Sequence, residues 1–178
     1  LFYLYERGVY HLATDRIAAA IADFGRCGEL ARRWDVDLPA ALPWRLGLAQ
    51  AHLAVGERDV ARGLIEEQKG LSCQGGGRTR ALTMVCEGML ADPAARVRIL
   101  QDAVRLLEAD GDVFELARTK RLLSSAFEEL GETERARSAA RQAGELAARC
   151  QAEWLLFDLT VDGEPALSGA RVPRWRVD

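Results

Sequence analysis

The side chains best suited to bind a metal ion are few and widely spaced. The chain has only two histidines, His11 and His52. Its four cysteines are Cys27, Cys73, Cys86 and Cys150. Zinc sites usually combine closely spaced pairs such as CxxC, and the sequence has no such pair. We therefore expect no metal site, mostly buried reduced thiols, and histidines that pack between helices with one ring nitrogen hydrogen-bonded.

Residues that could catalyse a reaction or hold a phosphate are also poorly arranged. The adjacent acid pairs Glu66/Glu67 and Glu128/Glu129 point apart on a helix, so neither pair can act on one substrate atom. Three glycines at 75–77 precede Arg-Thr-Arg, but a phosphate-binding loop needs a lysine and a preceding strand. The sequence therefore predicts a flexible connector there. We expect no enzyme activity and no cofactor in this chain.

Composition favours a helical, cytoplasmic protein that binds neither membrane nor DNA directly. The 178 residues include 29 Ala and 25 Leu, which favours helix over sheet. No apolar run approaches the ~18 residues that cross a bilayer. The net charge of −3 provides no basic field for nucleic acid. Three arginines near the C-terminus (Arg171, Arg174 and Arg176) are too few to read a DNA groove, and we interpret them as part of a linker.

Small residues and turn signals repeat along the chain. In residues 116–150, helical periodicity is interrupted at Gly131, a residue suited to the left-handed conformation that ends helices. Gly56 and Asp15 take the same place upstream. Three sets of residues coincide when the units are aligned on this turn: Ala20, Ala61 and Ala136; His11, His52 and Phe127; and Cys27, Gln68 and Ala143. Each unit is predicted to be an antiparallel helix pair.

A fourth unit fits the space left between the second and the last. It spans residues 78–107 with its turn at 91–93, where Asp92 can cap a helix that begins at Pro93. Connectors at 35–39, 73–77 and 109–112 join the units. A short ninth helix is expected at 153–159. Glycines and prolines from residue 162 onward indicate a linker or tail over 162–178.

The aligned positions resemble the tetratricopeptide repeat. That repeat carries a small residue and a bulky ring on its first helix, then an alanine, an aromatic residue and a small residue on its second. The matching residues of the first unit are Gly8, His11, Ala20, Phe24 and Cys27. Those of the fourth are Leu123, Ser124, Phe127, Ala136, Ala140 and Ala143. The resemblance implies an all-α, right-handed solenoid of four helix pairs over residues 1–161.

The longer period of about 40 residues and the connector at 38–45 resemble the helical-repeat domain of large ATP-binding LuxR-family regulators. The similarity is to actinobacterial members of the maltose-regulon-activator type. Such regulators also contain an ATPase module and a helix-turn-helix module, and this chain has neither motif. The resemblance implies a regulatory or sensor domain that binds an effector or protein partner and relays this to those modules. The alternative is a free-standing helical scaffold for protein–protein contact.

In tetratricopeptide repeats the first helix of each pair lines a concave binding surface, and the resemblance extends this to the present chain. The implied lining is Phe2, Tyr5, Val9, Leu46, Gln50, Leu53, Arg78, Val85, Met89, Arg118, Arg121, Ser125 and Glu128. The candidate ligand-binding residues among them are Gln50, Arg78, Arg118 and Arg121. Arg118 and Arg121 are one turn apart and suit a carboxylate or phosphate. Alternatively, they form ion pairs with Glu115 and Glu128 on a solvated helix face.

Overall fold

The computed structural model describes residues 1–72, 76–152, 160–161 and 164–165. These residues form eight α-helices: α1 (Phe2–Ala13), α2 (Ile17–Arg33), α3 (Trp44–Ala54), α4 (Arg58–Ser72), α5 (Gly77–Leu90), α6 (Pro93–Asp110), α7 (Val113–Glu129) and α8 (Thr133–Arg149). Two short strands, Thr160–Val161 and Glu164–Pro165, pair antiparallel. The predicted all-α class is confirmed. The expected helix at 153–159, most of the tail at 162–178 and the connector at 73–75 lie outside the described residues.

Packing follows chain order. Each helix contacts the next one along the chain, and the closest pairings include α1 with α2, α5 with α6 and α7 with α8. The first helices also contact each other, α1 with α3 and α3 with α5. The helix boundaries therefore agree with the four predicted pairs, and the first helices come together on one side.

Three of the four pairs share one turn. A left-handed residue follows the first helix in each of them: Asp15, Gly56 and Gly131, with φ of 58°, 82° and 73°. In each case a backbone carbonyl near the end of the helix accepts a bond from the amide five residues on. The accepting carbonyls belong to His11, His52 and Phe127, at 2.8, 2.9 and 2.9 Å. These are the positions that the sequence alignment places together, so the alignment is confirmed for these units.

The remaining turn differs as the sequence indicates. Ala91 is extended, and the carboxylate of Asp92 accepts a hydrogen bond from the amide of Ala95 at 2.9 Å. Pro93 occupies the first helical position, where its missing amide hydrogen costs nothing. The fourth residue after this cap is Arg96, whereas the other units have alanine there.

The alanines let the two helices of a pair approach closely. Ala20, Ala61 and Ala136 are fully buried. At the last of them, the hydroxyl of Ser124 on α7 donates to the carbonyl oxygen of Ala136 on α8 at 2.9 Å. A larger side chain at these positions would push the helices apart.

Aromatic rings that pack against glycines stabilise the contact between the first two helix pairs. Phe24 of α2 packs between Gly8 of α1 and Gly47 of α3, where an added Cβ would lie within 2.8 Å of the ring. Trp44 of α3 covers Gly28 of α2, where an added Cβ would lie 2.5 Å from the ring. Both aromatic side chains are fully buried. This interface therefore depends on the absence of a side chain at three glycines.

Candidate ligand-binding site

Polar side chains from all four first helices meet on the side where those helices contact each other. The group, called here the inner cluster, consists of Tyr5 on α1, Gln50 on α3, Arg78 and Cys86 on α5, and Glu115 and Arg118 on α7. Three of the four candidate residues predicted from the sequence are members. These three are Gln50, Arg78 and Arg118, which are joined directly or through Glu115.

Glu115 is the shared acid of the inner cluster. Its carboxylate lies 3.2 Å from the guanidinium of Arg118 and 3.9 Å from that of Arg78. Arg78 also donates to Asp112 at 2.7 Å. Asp112 caps α7 by accepting from the amide of Glu115 at 3.0 Å, which fixes the start of the helix. Two arginines are thus held beside one another by acids from the start of α7.

Gln50 connects the two ends of the cluster. Its side-chain oxygen accepts a hydrogen bond from Arg118 at 3.4 Å, and its nitrogen donates to the sulfur of Cys86 at 3.4 Å. The contact with Arg118 joins α3 to α7, past the intervening first helix α5.

Burial and charge act together on the pKa values in the cluster. Desolvation raises the pKa of Tyr5 to about 12, and the charge of Glu115 adds to the shift, while Arg78 and Arg118 oppose it. Burial likewise raises the pKa of the Cys86 thiol to about 11, against the hydrogen bond from Gln50. Both groups are neutral at physiological pH. The inner cluster therefore combines two arginines, which pair with Glu115 and Asp112, with two groups that are neutral at this pH.

The predicted lining is only partly correct. Leu46 and Val85 are core residues, because Leu46 packs with Ala49 and Ile65 and Val85 with the residues of α6 and α7. Their assignment to the binding surface was wrong. Arg121 lies one turn beyond Arg118 and is half-buried, and the cluster described above is built without it. Ser125 and Glu128 are exposed further along α7.

The predicted alternative for Arg118 is also realised, since it pairs with Glu115 one turn earlier. Two signals in the sequence could have shown the shared role of Glu115. It lies three residues after the N-cap residue Asp112, and it is one turn before Arg118. The contribution of Cys86 had no local signal, because only the packing of α3 on α5 brings it to Gln50.

A second arginine network, which sequence reasoning missed, lies at the connector between α2 and α3. Arg45 is 3% exposed and binds both carboxylate oxygens of Asp37, and its Nε lies 2.8 Å from Glu67. Its guanidinium stacks 4.2 Å from the Trp44 ring centroid, and that of Arg32 lies 4.9 Å from the same ring. Arg45 lowers the pKa of the Asp37 carboxyl through a charge-assisted hydrogen bond. We name this group the connector network.

His52 has one ring nitrogen in a hydrogen bond, as expected, whereas the buried Nδ1 of His11 finds no hydrogen-bond partner among the described residues. His52 Nδ1 lies 2.5 Å from Glu57, and His11 Nε2 lies 3.6 Å from Asp23, which also binds Arg7 at 2.6 and 2.7 Å. Folding thus supplies each histidine with an acidic neighbour. Across the described part of the chain, no three His, Cys, Asp or Glu side chains are grouped to hold a metal ion.

Comparisons with known proteins give no relative. No protein family, no curated protein and no solved structure matches the chain. The resemblance to LuxR-family regulators therefore stays a prediction. Within the described residues, no helix is both long and apolar enough to cross a membrane.

Proposed function

We propose that this chain is the sensor domain of a cytoplasmic LuxR-family transcriptional regulator, and that the inner cluster binds an anionic effector or an acidic segment of a partner protein. The domain does no chemistry itself. It signals to the ATPase and DNA-binding modules on other parts of the regulator whether the site is occupied. The observation that carries the proposal is the meeting of Gln50, Arg78 and Arg118 from three different first helices.

The fold that we propose for this sensor domain is a right-handed, tetratricopeptide-like solenoid. Two features support it: one turn geometry recurs in three helix pairs, and the first helices contact each other along one side. In such solenoids the first helices form the surface that binds ligands and peptides. A cluster that spans four first helices is also sensitive to small changes in the angle between repeats.

The chemistry of the cluster favours a carboxylate or a phosphate. Two guanidinium groups lie within reach of one carboxylate, that of Glu115, so an anion that displaces this carboxylate would meet both of them. Arginine forms planar, paired hydrogen bonds with such groups. Both arginines are more than a third exposed, so a ligand can reach them. Gln50 supplies a neutral donor or acceptor beside them.

Titration calorimetry of the chain with citrate and with inorganic phosphate tests the proposal. We expect saturable binding of at least one anion, reduced about tenfold or more in the double variant Arg78→Gln/Arg118→Gln. The matched control is Arg62→Gln/Arg105→Gln, which removes two exposed arginines from second helices. Binding of neither anion, or an equal loss in the two double variants, contradicts the proposed site.

A further inference from the structure

The exposed face of α1 is unlike the equivalent face of α3 and of α7. Tyr3 and Tyr10 are 71% and 56% exposed, and Arg7 lies between them on the same face, one helical turn after Tyr3. Its guanidinium is 5.1 Å from the Tyr3 ring centroid. The helix therefore presents two ordered aromatic rings to solvent, although its opposite face is already packed on α2.

The repeat alignment shows what covers this face elsewhere. The 41-residue offset that places His11 on His52 also places Tyr3 on Trp44 and Tyr10 on Ala51. Trp44 and Ala51 are buried against the preceding second helix, α2. In α7 the same positions are Thr119 and Ala126, and both are buried. The partner that fits the face of α1 is therefore a helix equivalent to α2.

α8, the last helix that the structure describes, has such a surface. The 116-residue offset that places Ala20 on Ala136 places Gly28 on Gly144. The ring of Trp44 fills the space beside Gly28, where a side chain would otherwise stand. A Cβ on Gly144, in contrast, would meet no described atom within 4 Å. The ring position on α1 and the glycine position on α8 thus repeat the two sides of the α2–α3 contact. Each of them lacks its partner within the described residues.

We infer that two copies of this chain associate head to tail, with the Tyr3 face of α1 in one copy packed on the Gly144 face of α8 in the other. Tyr3 takes the place of Trp44 and Gly144 the place of Gly28, so the interface continues the internal packing between helix pairs. Such a contact uses different surfaces on the two copies and can add further copies at either end. This association is separate from anion binding at the inner cluster.

Sedimentation velocity over a concentration series tests the inference with two variants. Tyr3→Ala/Tyr10→Ala removes the aromatic side chains of the α1 face (the head), and Gly144→Arg blocks the α8 face (the tail). We expect the mass of the unmodified chain to rise with concentration, and each variant alone to stay monomeric. An equimolar mixture of the two variants should form a dimer and stop there, because only one head and one tail remain intact. Urea melts establish that each variant is folded.

Two control variants change similar residues elsewhere. Trp34→Ala removes another exposed aromatic side chain, and Gly63→Arg adds an arginine at a glycine of α4 with open space around it. Both should associate like the unmodified chain. Three results would overturn the inference. The unmodified chain stays monomeric at millimolar concentration, as when its own C-terminal residues cover α8, or the mixture of variants stays monomeric. The third is self-association of Gly144→Arg at the level of the unmodified chain, as a contact between two α1 faces would give.

Discussion

The connector network and the inner cluster use the same kinds of charged group in different surroundings. In the connector network, Arg45 is almost completely buried, with two acids and an aromatic face around its guanidinium. In the inner cluster, Arg78 and Arg118 are more than a third exposed and share the carboxylate of Glu115. Arg45 is enclosed by its acidic partners and Trp44, whereas Arg78 and Arg118 keep part of their guanidinium groups exposed to water.

This difference separates a structural role from a binding role. A buried charge is costly unless every partner is in place, so removing a partner strongly destabilises the fold. An exposed ion pair contributes little to stability, because water and salt screen it. Substitutions in the connector network should therefore lower the unfolding free energy of the protein. Substitutions in the inner cluster should instead change the affinity for the ligand.

Replacing the buried arginine should have the largest effect on stability. Arg45→Gln removes the cation that binds Asp37, leaves Glu67 with Arg32 alone and removes the stacking of Arg45 on Trp44. We expect a loss of about 3 kcal/mol in unfolding free energy. Urea denaturation measures it. The control is Arg32→Gln, which touches the same ring and the same Glu67 from an exposed position and should cost less than about 1 kcal/mol. Equal losses would remove the distinction by burial.

The glycine beneath Trp44 should have the next largest effect. Gly28→Ala places a methyl group against the indole and should destabilise by about 1–3 kcal/mol through overpacking. At the equivalent position of α8, Gly144→Ala meets open space and should stabilise by up to about 1 kcal/mol, since alanine favours helix. Thermal and urea melts at low protein concentration compare the two. Changes of the same sign would contradict the alignment of α2 with α8.

Acid should weaken the connector network over a defined range of pH. Arg45 holds the pKa of the Asp37 carboxyl below its unfolded value of about 3.9. The stability that this ion pair contributes is present above that pH and is lost as the pH falls through the lowered folded value. We expect the difference in unfolding free energy between the unmodified chain and Asp37→Asn to shrink below about pH 4. A difference that grows with acid would reverse the assigned sign.

The arginines of the inner cluster should have the smallest effect on stability. Arg78→Gln/Arg118→Gln should shift the melting temperature by only a few degrees, because partly exposed ion pairs contribute little. Differential scanning calorimetry measures it beside Arg45→Gln. A shift as large as that of Arg45→Gln would show that these arginines support the fold in the same way.

Sequence patterns predicted what depends on local chemistry. The helix pairs follow from periodic small and apolar residues, and the turns from Asp15, Gly56 and Gly131, which adopt a conformation that few residues favour. The cap at Asp92 follows from the proline after it. These features need only neighbours within a few residues.

Contacts between distant elements were less accessible. The burial of Arg45 depends on Asp37 and Glu67, which come from a connector and from another helix, so no short pattern shows it. Leu46 was assigned to the surface because the family pattern fixes a position along the helix but not the neighbours that cover it. Gln50, Arg78 and Arg118 were placed together through the resemblance to tetratricopeptide repeats, and the contacts of Glu115 with both arginines emerged only from the packing of the first helices.

The most direct test of the central claim is the affinity of the Glu115→Gln variant for citrate, measured by calorimetry. If an anion competes with the Glu115 carboxylate for the arginines, removing that charge releases Arg118 and leaves Arg78 paired with Asp112 alone, and affinity should rise about three- to tenfold. Glu134→Gln, at an exposed ion pair on α8, is the control and should bind like the unmodified chain. An unchanged or weaker affinity in Glu115→Gln would contradict the assignment of the inner cluster as the binding site.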